Sequence, residues 1–195
     1  MLAFAAALGV IAGVVVALTR PRAAPTLPLF HGQASWGPGR RAAPEFVLRD
    51  SAGASIALSR QRGRPVLLAF LDTRGGDTAA REIRLVAGVE QVLAGGALPA
   101  LDIVSLDPAV DSARRVAETA SSAGLVRGSY DWLVGPRAAL AELWRQFGIG
   151  VAGRAGASGA IYLIDARGFE RVGYLFPFEP YAVARDVRTL QSEAP

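Results

Sequence analysis

The stretch Val66–Asp77, VLLAFLDTRGGD, limits the fold more than any other part of the chain. It opens as a continuous apolar run from Val66 to Leu71. A run this short, apolar on both faces and ending abruptly before a helical pattern, reads as a strand buried in a parallel sheet. It breaks at Asp72-Thr73, passes through Gly75-Gly76 and opens a helical pattern at Asp77. In open α/β sheets, chemistry gathers where such a strand hands over to its helix. A functional site of the usual kind is therefore expected within Asp72–Ala80.

The flanking patterns extend this frame. Glu45–Leu58 alternates around Ser51-Ala52-Gly53 and predicts a β-hairpin. Thr78–Ala94 repeats apolar residues at Ile83, Val86, Val89 and Leu93, an amphipathic helix with Asp77 as its expected N-cap. Leu101–Leu106 is the next strand, and Asp107-Pro108 reads as cap and first residue of a helix running to about Ala123. Tyr130–Val134 is a third strand, followed by a helix over Arg137–Phe147 and a glycine-rich loop over Gly148–Gly159. Ala160–Asp165 and Phe169–Phe176 form an antiparallel pair, and Glu179–Leu190 is a closing helix. A hairpin, then βαβαβα, then ββα is a thioredoxin-like α/β arrangement with an added N-terminal β-hairpin.

Composition excludes much chemistry from that frame. The 195-residue chain contains no cysteine, no lysine, one histidine (His31) and one methionine (Met1). Without cysteine there is no disulfide, thiolate catalysis or soft copper site. Without lysine there is no Schiff base and no lysine-based phosphate loop. One histidine, in a Pro-rich segment, allows no Ser-His-Asp arrangement and has no co-ligands for a metal. Its plainest reading is a solvent-exposed linker residue. The arginines are scattered rather than gathered in a basic stripe with aromatics, so nucleic acid is not an expected partner.

Three domains are expected: an anchor over 1–19, a linker over 20–44 and a globular domain over 45–195. Leu2–Thr19 carries no charge. As a helix it reaches about 27 Å, close to the roughly 30 Å hydrocarbon core of a bilayer. It lacks a basic leader and exceeds the usual signal-peptide core, so a retained transmembrane helix is expected. Ala5, Gly9, Gly13 and Ala17 recur every fourth position and form a small-residue stripe of the kind that packs helices in lipid. In the linker, Pro21, Pro25, Pro28, Pro38 and Pro44 argue against regular structure. Leu29-Phe30 and Trp36 are unusual in a free linker, and Phe30 and Trp36 are candidate partner contacts. Arg20, Arg22, Arg40 and Arg41 would stay cytoplasmic by the positive-inside rule.

The ordered motifs resemble the Sco/SenC family of copper chaperones for cytochrome oxidase. Gly63-Arg64-Pro65-Val66 resembles that family's entry to the central strand, and Thr73-Arg74 opens its cysteine turn. Ser105-Leu106-Asp107-Pro108-Ala109-Val110-Asp111-Ser112 matches its S-x-D-P-x-x-D-[ST] motif. Leu133-Val134-Gly135 matches its L-x-G segment. Ala157-Ser158-Gly159-Ala160-Ile161-Tyr162-Leu163-Ile164-Asp165 matches its H-S-x-x-x-Y-L-I-D motif. The three ligand positions hold Gly75, Ala79 and Ala157. The resemblance implies a degenerate member: membrane-tethered, domain on the periplasmic side, with no metal ligand, no cofactor and no catalytic residue of its own. The positive-inside rule and this implied orientation disagree.

The expected function is a non-catalytic accessory or structural subunit of an integral membrane complex, joined through its helix and linker in the inner membrane. A respiratory oxidase follows from the family. A photosynthetic reaction-centre–light-harvesting assembly follows from a fainter resemblance to accessory subunits of such assemblies. One alternative is a metal-free assembly chaperone. Another is a hard-cation site in which Asp72, Asp77, Asp107 and Asp111 converge, although helix capping already accounts for the last three. Arg74 and Arg81, beside the emptied turn, are candidate contacts for an acidic partner.

Overall fold

The computed structural model describes residues 29–150 and 159–193. The expected anchor with Ala5, Gly9, Gly13 and Ala17, the first part of the linker, and Ala157 lie outside the described residues. Among the described residues no helix is long and apolar enough to cross a membrane.

Eight strands form one sheet: β1 (Ala34–Ser35), β2 (Val47–Asp50), β3 (Ser55–Ala57), β4 (Val66–Leu71), β5 (Ala100–Ser105), β6 (Asp131–Val134), β7 (Ala160–Ile164) and β8 (Glu170–Leu175). Their spatial order is β1-β8-β7-β4-β5-β6-β2-β3. The strand β4 is central, parallel to β5 and antiparallel to β7, and all six of its residues are buried. Its burial on both faces matches its unbroken apolar sequence, each large side chain contributing about 1.5–3 kcal/mol.

Four helices cover the sheet: α1 (Asp77–Leu93), α2 (Ala113–Ser122), α3 (Arg137–Gln146) and α4 (Pro180–Ser192). Ile83 and Val86 of α1, Val116 of α2 and Val183 of α4 pack with Leu67, Ala69 and Leu71. Leu140, Leu143 and Trp144 of α3 pack with Val66, Leu68 and Phe70 on the opposite face. The arrangement is the expected thioredoxin-like α/β fold with an N-terminal hairpin. That hairpin turns at Gly53 (φ +95°), where Asp50 Oδ1 accepts from Ala52 N at 2.9 Å and Ala54 N at 2.7 Å.

Three local expectations are corrected. Asp77 is the first residue of α1 and not its N-cap; Gly76 takes that place in a left-handed conformation (φ +54°) that favours glycine. Asp107-Pro108 does not start a helix. Asp107–Val110 instead closes a turn, with Val110 N and Asp111 N both donating to Asp107 O, and α2 begins at Ala113. Its cap is Ser112 and not Asp111: the Ser112 side chain accepts from Arg115 N, while the Asp111 carboxylate accepts from Thr73 and Ser105. The later part of the expected linker is also folded. Ala34 and Ser35 pair with Gly173 and Val172, adding an edge strand beside β8.

His31 is therefore not a free linker residue. Its backbone N donates to Asp186 Oδ2 at 2.8 Å, and its Nδ1 lies 2.7 Å from Asp186 Oδ1. Asp186, on α4, is buried and also accepts from the Tyr174 hydroxyl. Phe30 packs on the core under the Arg171 guanidinium, 5.2 Å from its ring centre, and Trp36 stacks against Arg41 at 4.6 Å. Both aromatics thus rest on side chains of their own chain.

Candidate functional site

The turn after β4 sits at the carboxyl end of the parallel strands, where the sequence places the site. Leu106 N donates to Leu71 O at 2.8 Å and keeps the exits of β4 and β5 side by side. That pairing brings Thr73 beside the Ser105–Asp111 segment.

Asp111 organises the floor. Its Oδ1 accepts from Thr73 N at 2.9 Å and Thr73 Oγ1 at 2.6 Å, and its Oδ2 accepts from Ser105 Oγ at 2.6 Å. Ser105 Oγ in turn accepts from Asp107 N at 3.2 Å. All four residues are buried. Burial pushes the Asp111 carboxyl above the usual range, against the pull of its three hydrogen bonds. Trp144 Nε1 donates to Ser105 O at 3.2 Å, tying α3 to the same point. Arg115 of α2 donates to Thr73 O at 3.3 Å.

The rim is equally self-contained. Asp72 Oδ1 accepts from Arg74 N at 2.7 Å and Gly75 N at 3.1 Å, an Asx turn that fixes the loop. Arg74 forms an ion pair with Asp107 Oδ2. Arg81 is exposed on α1. Glu82, half-buried on α1, is pushed up to about 7 by burial and by the Asp72 charge. Sequence reasoning did not single out Glu82; its place one turn into the helix behind Asp72 was the available signal.

Gly75, two residues before α1, lies beside Ala79 in the helix's first turn. A Cβ at Gly75 would lie 3.2 Å from Ala79 Cβ. Cysteines bridged by a disulfide hold their Cβ atoms roughly 3.5–4.5 Å apart, so the two positions are neighbours set a few tenths of an ångström tighter than a bridged pair, and they supply no sulfur. The four-carboxylate cation site does not form. Asp111 is consumed by three donors, Asp107 by Arg74 and Asp72 by its own turn. Among the described residues no group of three or more His, Cys, Asp or Glu is placed to hold a metal ion. Of the residues singled out from sequence, the fold brings together Asp72, Arg74, Gly75, Ala79, Asp107 and Asp111. It leaves Phe30, His31 and Trp36 on the segment that packs against β8 and α4.

Solved structures with this fold include Sco proteins. Copper-bound ScoI of Bradyrhizobium japonicum is 21% identical, with a TM-score of 0.62 over 76% of this chain and 99% of that one. Copper-bound yeast Sco1 is 17% identical, with a TM-score of 0.65 over 80% and 95%. A SCO1/SenC family lipoprotein from Bacillus anthracis is 15% identical, with a TM-score of 0.68 over 81% and 99%. No protein-family model matches the chain, and no curated protein matches its sequence. The likeness is one of fold: a Sco-like thioredoxin domain without a cysteine.

Proposed function

We propose that this chain is a non-catalytic accessory subunit of a bioenergetic membrane complex, a Sco-like domain kept for its surface after loss of its redox site. The observation that carries the reading is the turn at Gly75–Ala79. It sets two residues side by side where the resemblance implies a thiol pair, holds no reactive group, and is closed underneath by the Asp111 hydrogen bonds. Thiol exchange needs a thiolate, and copper transfer of the Sco kind needs soft ligands, neither of which this sequence supplies. Function lives in sites rather than folds, so a Sco fold with an emptied site supports binding over chemistry.

The apolar segment Leu2–Thr19 supports a single-pass anchor in the inner membrane. The periplasmic side for the domain rests on the resemblance alone, against the charge of Arg20, Arg22, Arg40 and Arg41. The small-residue stripe of Ala5, Gly9, Gly13 and Ala17 supports a helix partner within the bilayer. The complex would be a respiratory oxidase or a photosynthetic reaction-centre–light-harvesting assembly.

The test is gentle detergent extraction from native membranes, affinity capture of the full chain and quantitative mass spectrometry. Recovery at fixed stoichiometry with one large redox or photosynthetic complex supports a subunit and names the assembly. Recovery alone, or with many substoichiometric proteins, replaces the subunit reading with that of an assembly chaperone.

A further inference from the structure

A second concave region lies away from the emptied turn, on the sheet face that α3 covers. Its floor is Gly173, inside β8, paired with Ala34 of β1 on one side and Tyr162 of β7 on the other. Glycine within a strand weakens it and often marks a place where another group approaches the backbone. A Cβ at Gly173 would sit 3.3 Å from the Tyr162 ring and 3.6 Å from the Trp36 ring. The missing side chain therefore leaves a slot between two aromatics. Phe147 closes it behind, 5.0 Å from Tyr162 between ring centres. Together with Arg41, Gln33 and Leu175 these side chains line a cavity of about 350 Å³.

The Tyr162 hydroxyl is taken, donating to Phe147 O at 2.5 Å. Gln33 Oε1 accepts from Leu175 N at 3.1 Å, which leaves the Gln33 amide NH2 as a donor. The Arg41 guanidinium lies 4.6 Å over the Trp36 ring, with its Nε 2.9 Å from the Glu170 carboxylate. The Arg41 side chain is 41% exposed whereas that of Glu170 is 1% exposed, so the cation is presented and its counter-charge is not. Walls are aromatic and the presented polar groups are hydrogen-bond donors. A flat ring bearing an anionic acceptor is complementary on both counts.

We propose that the slot over Gly173 binds an aromatic carboxylate, its ring lodged between Trp36 and Tyr162 and its carboxylate paired with Arg41. The same chemistry is carried by a free aromatic acid and by an aromatic residue at the C-terminus of another chain. Among the described residues the carboxylate beside Arg41, that of Glu170, is buried and so is not presented to a cationic ligand.

Trp36 is the reporter, since Trp132 and Trp144 are buried in the core. The full chain in detergent is titrated with benzoate and, separately, with N-acetylphenylalanine, following tryptophan fluorescence. A saturable change with half-effect in the millimolar range is expected for a ligand of about ten heavy atoms. Trp36→Phe should remove the signal. Gly173→Ala should raise the half-saturating concentration at least about tenfold, because its methyl occupies the slot, meeting Trp36 at ordinary contact distance while the Tyr162 ring gives by a few tenths of an ångström. Arg41→Gln should also weaken binding, but it strips Glu170 of its cation, so Gly173→Ala is the deciding variant. Saturation by benzoate supports a free acid, and saturation by N-acetylphenylalanine alone supports a chain end. No saturation by either probe, or equal saturation in Gly173→Ala, overturns the proposal.

Discussion

Gly75, two residues before α1, lies against Ala79 in the helix's first turn, with a Cβ at Gly75 falling 3.2 Å from the Ala79 methyl carbon. Gly75 lies outside the left-handed region, so its φ suits an L side chain, although the added Cβ also falls 3.2 Å from Ala79 N. The double variant Gly75→Cys/Ala79→Cys should therefore close a disulfide on air oxidation, with the neighbouring backbone giving by a few tenths of an ångström. Thiol titration of the denatured protein should find no free thiol before reduction and two after it. Free thiols after full oxidation would show that the turn has lost the spacing of a thiol pair along with its sulfur.

The network below that turn has its own signature. Asp111 accepts from three buried donors on Thr73 and Ser105. Asp111→Ala leaves those donors without an acceptor, and each buried unsatisfied group costs about 1–3 kcal/mol. A loss of about 3 kcal/mol is expected in denaturant melts of the full chain. A loss near that of an ordinary surface substitution, within about 0.5 kcal/mol, would mean that water replaces the carboxylate and that the turn is open.

Much of this was legible in the sequence, and the misses share a physical cause. Val66–Leu71 was readable as the central strand because burial on both faces leaves an unbroken apolar run. That the turn carries no thiol was readable because Gly75 and Ala79 are identities, independent of geometry. The Asp107-Pro108 pair misled because an acidic residue before proline is equally good chemistry for a turn. The cap belongs to Ser112, four residues after the proline. The role of Asp111 depends on β4 and β5 exiting together, a long-range fact that local patterning does not carry. The prolines of the expected linker do exclude long elements. They do not exclude a two-residue pairing such as Ala34–Ser35, whose energy is in backbone bonds to β8, distant in sequence.

Asp102 provides a pH test. It is fully buried in β5, accepts from Gln61 Nε2 at 3.0 Å, and leaves its own Oδ2 and Gln61 Oε1 unsatisfied. Burial pushes its carboxyl up to about 6, against an ordinary value near 3.8. The folded state then holds the proton more tightly than the unfolded chain. This group's contribution to stability therefore falls as pH rises from about 4 to about 6 and is level above that. Glu82, pushed up to about 7, acts in the same direction over a somewhat higher range. In Asp102→Asn the new amide can donate to Gln61 Oε1 while still accepting from Nε2. The variant should be more stable than the parent at pH 7.5, by up to about 3 kcal/mol, and indistinguishable at pH 3.5. Urea melts at the two pH values decide it, since an equal gain at both would assign the effect to packing.

The N-terminal arm is held by one buried carboxylate. Asp186 accepts from His31 N and from the Tyr174 hydroxyl, with His31 Nδ1 beside its other oxygen, and burial together with Asp186 pushes the Tyr174 hydroxyl well above its usual range. The arm then continues into β1, where Trp36 N donates to Arg171 O at 2.9 Å. Asp186→Ala removes the shared acceptor but leaves the sheet core untouched, so local opening of the arm should become easier while global unfolding changes less. Arg40 and Arg41 lie just beyond β1 and are natural tryptic sites once that strand detaches. Limited trypsin digestion should cut there at least about tenfold faster in the variant, as a loss of about 1.4 kcal/mol in opening free energy requires when opening precedes cleavage. Unchanged cutting at Arg40 and Arg41 would place the arm's stability in the β1–β8 pairing and the Phe30–Arg171 contact instead. His31→Gln, which keeps the backbone bond to Asp186, should fall between the two, since it loses only the ring's share of the clasp.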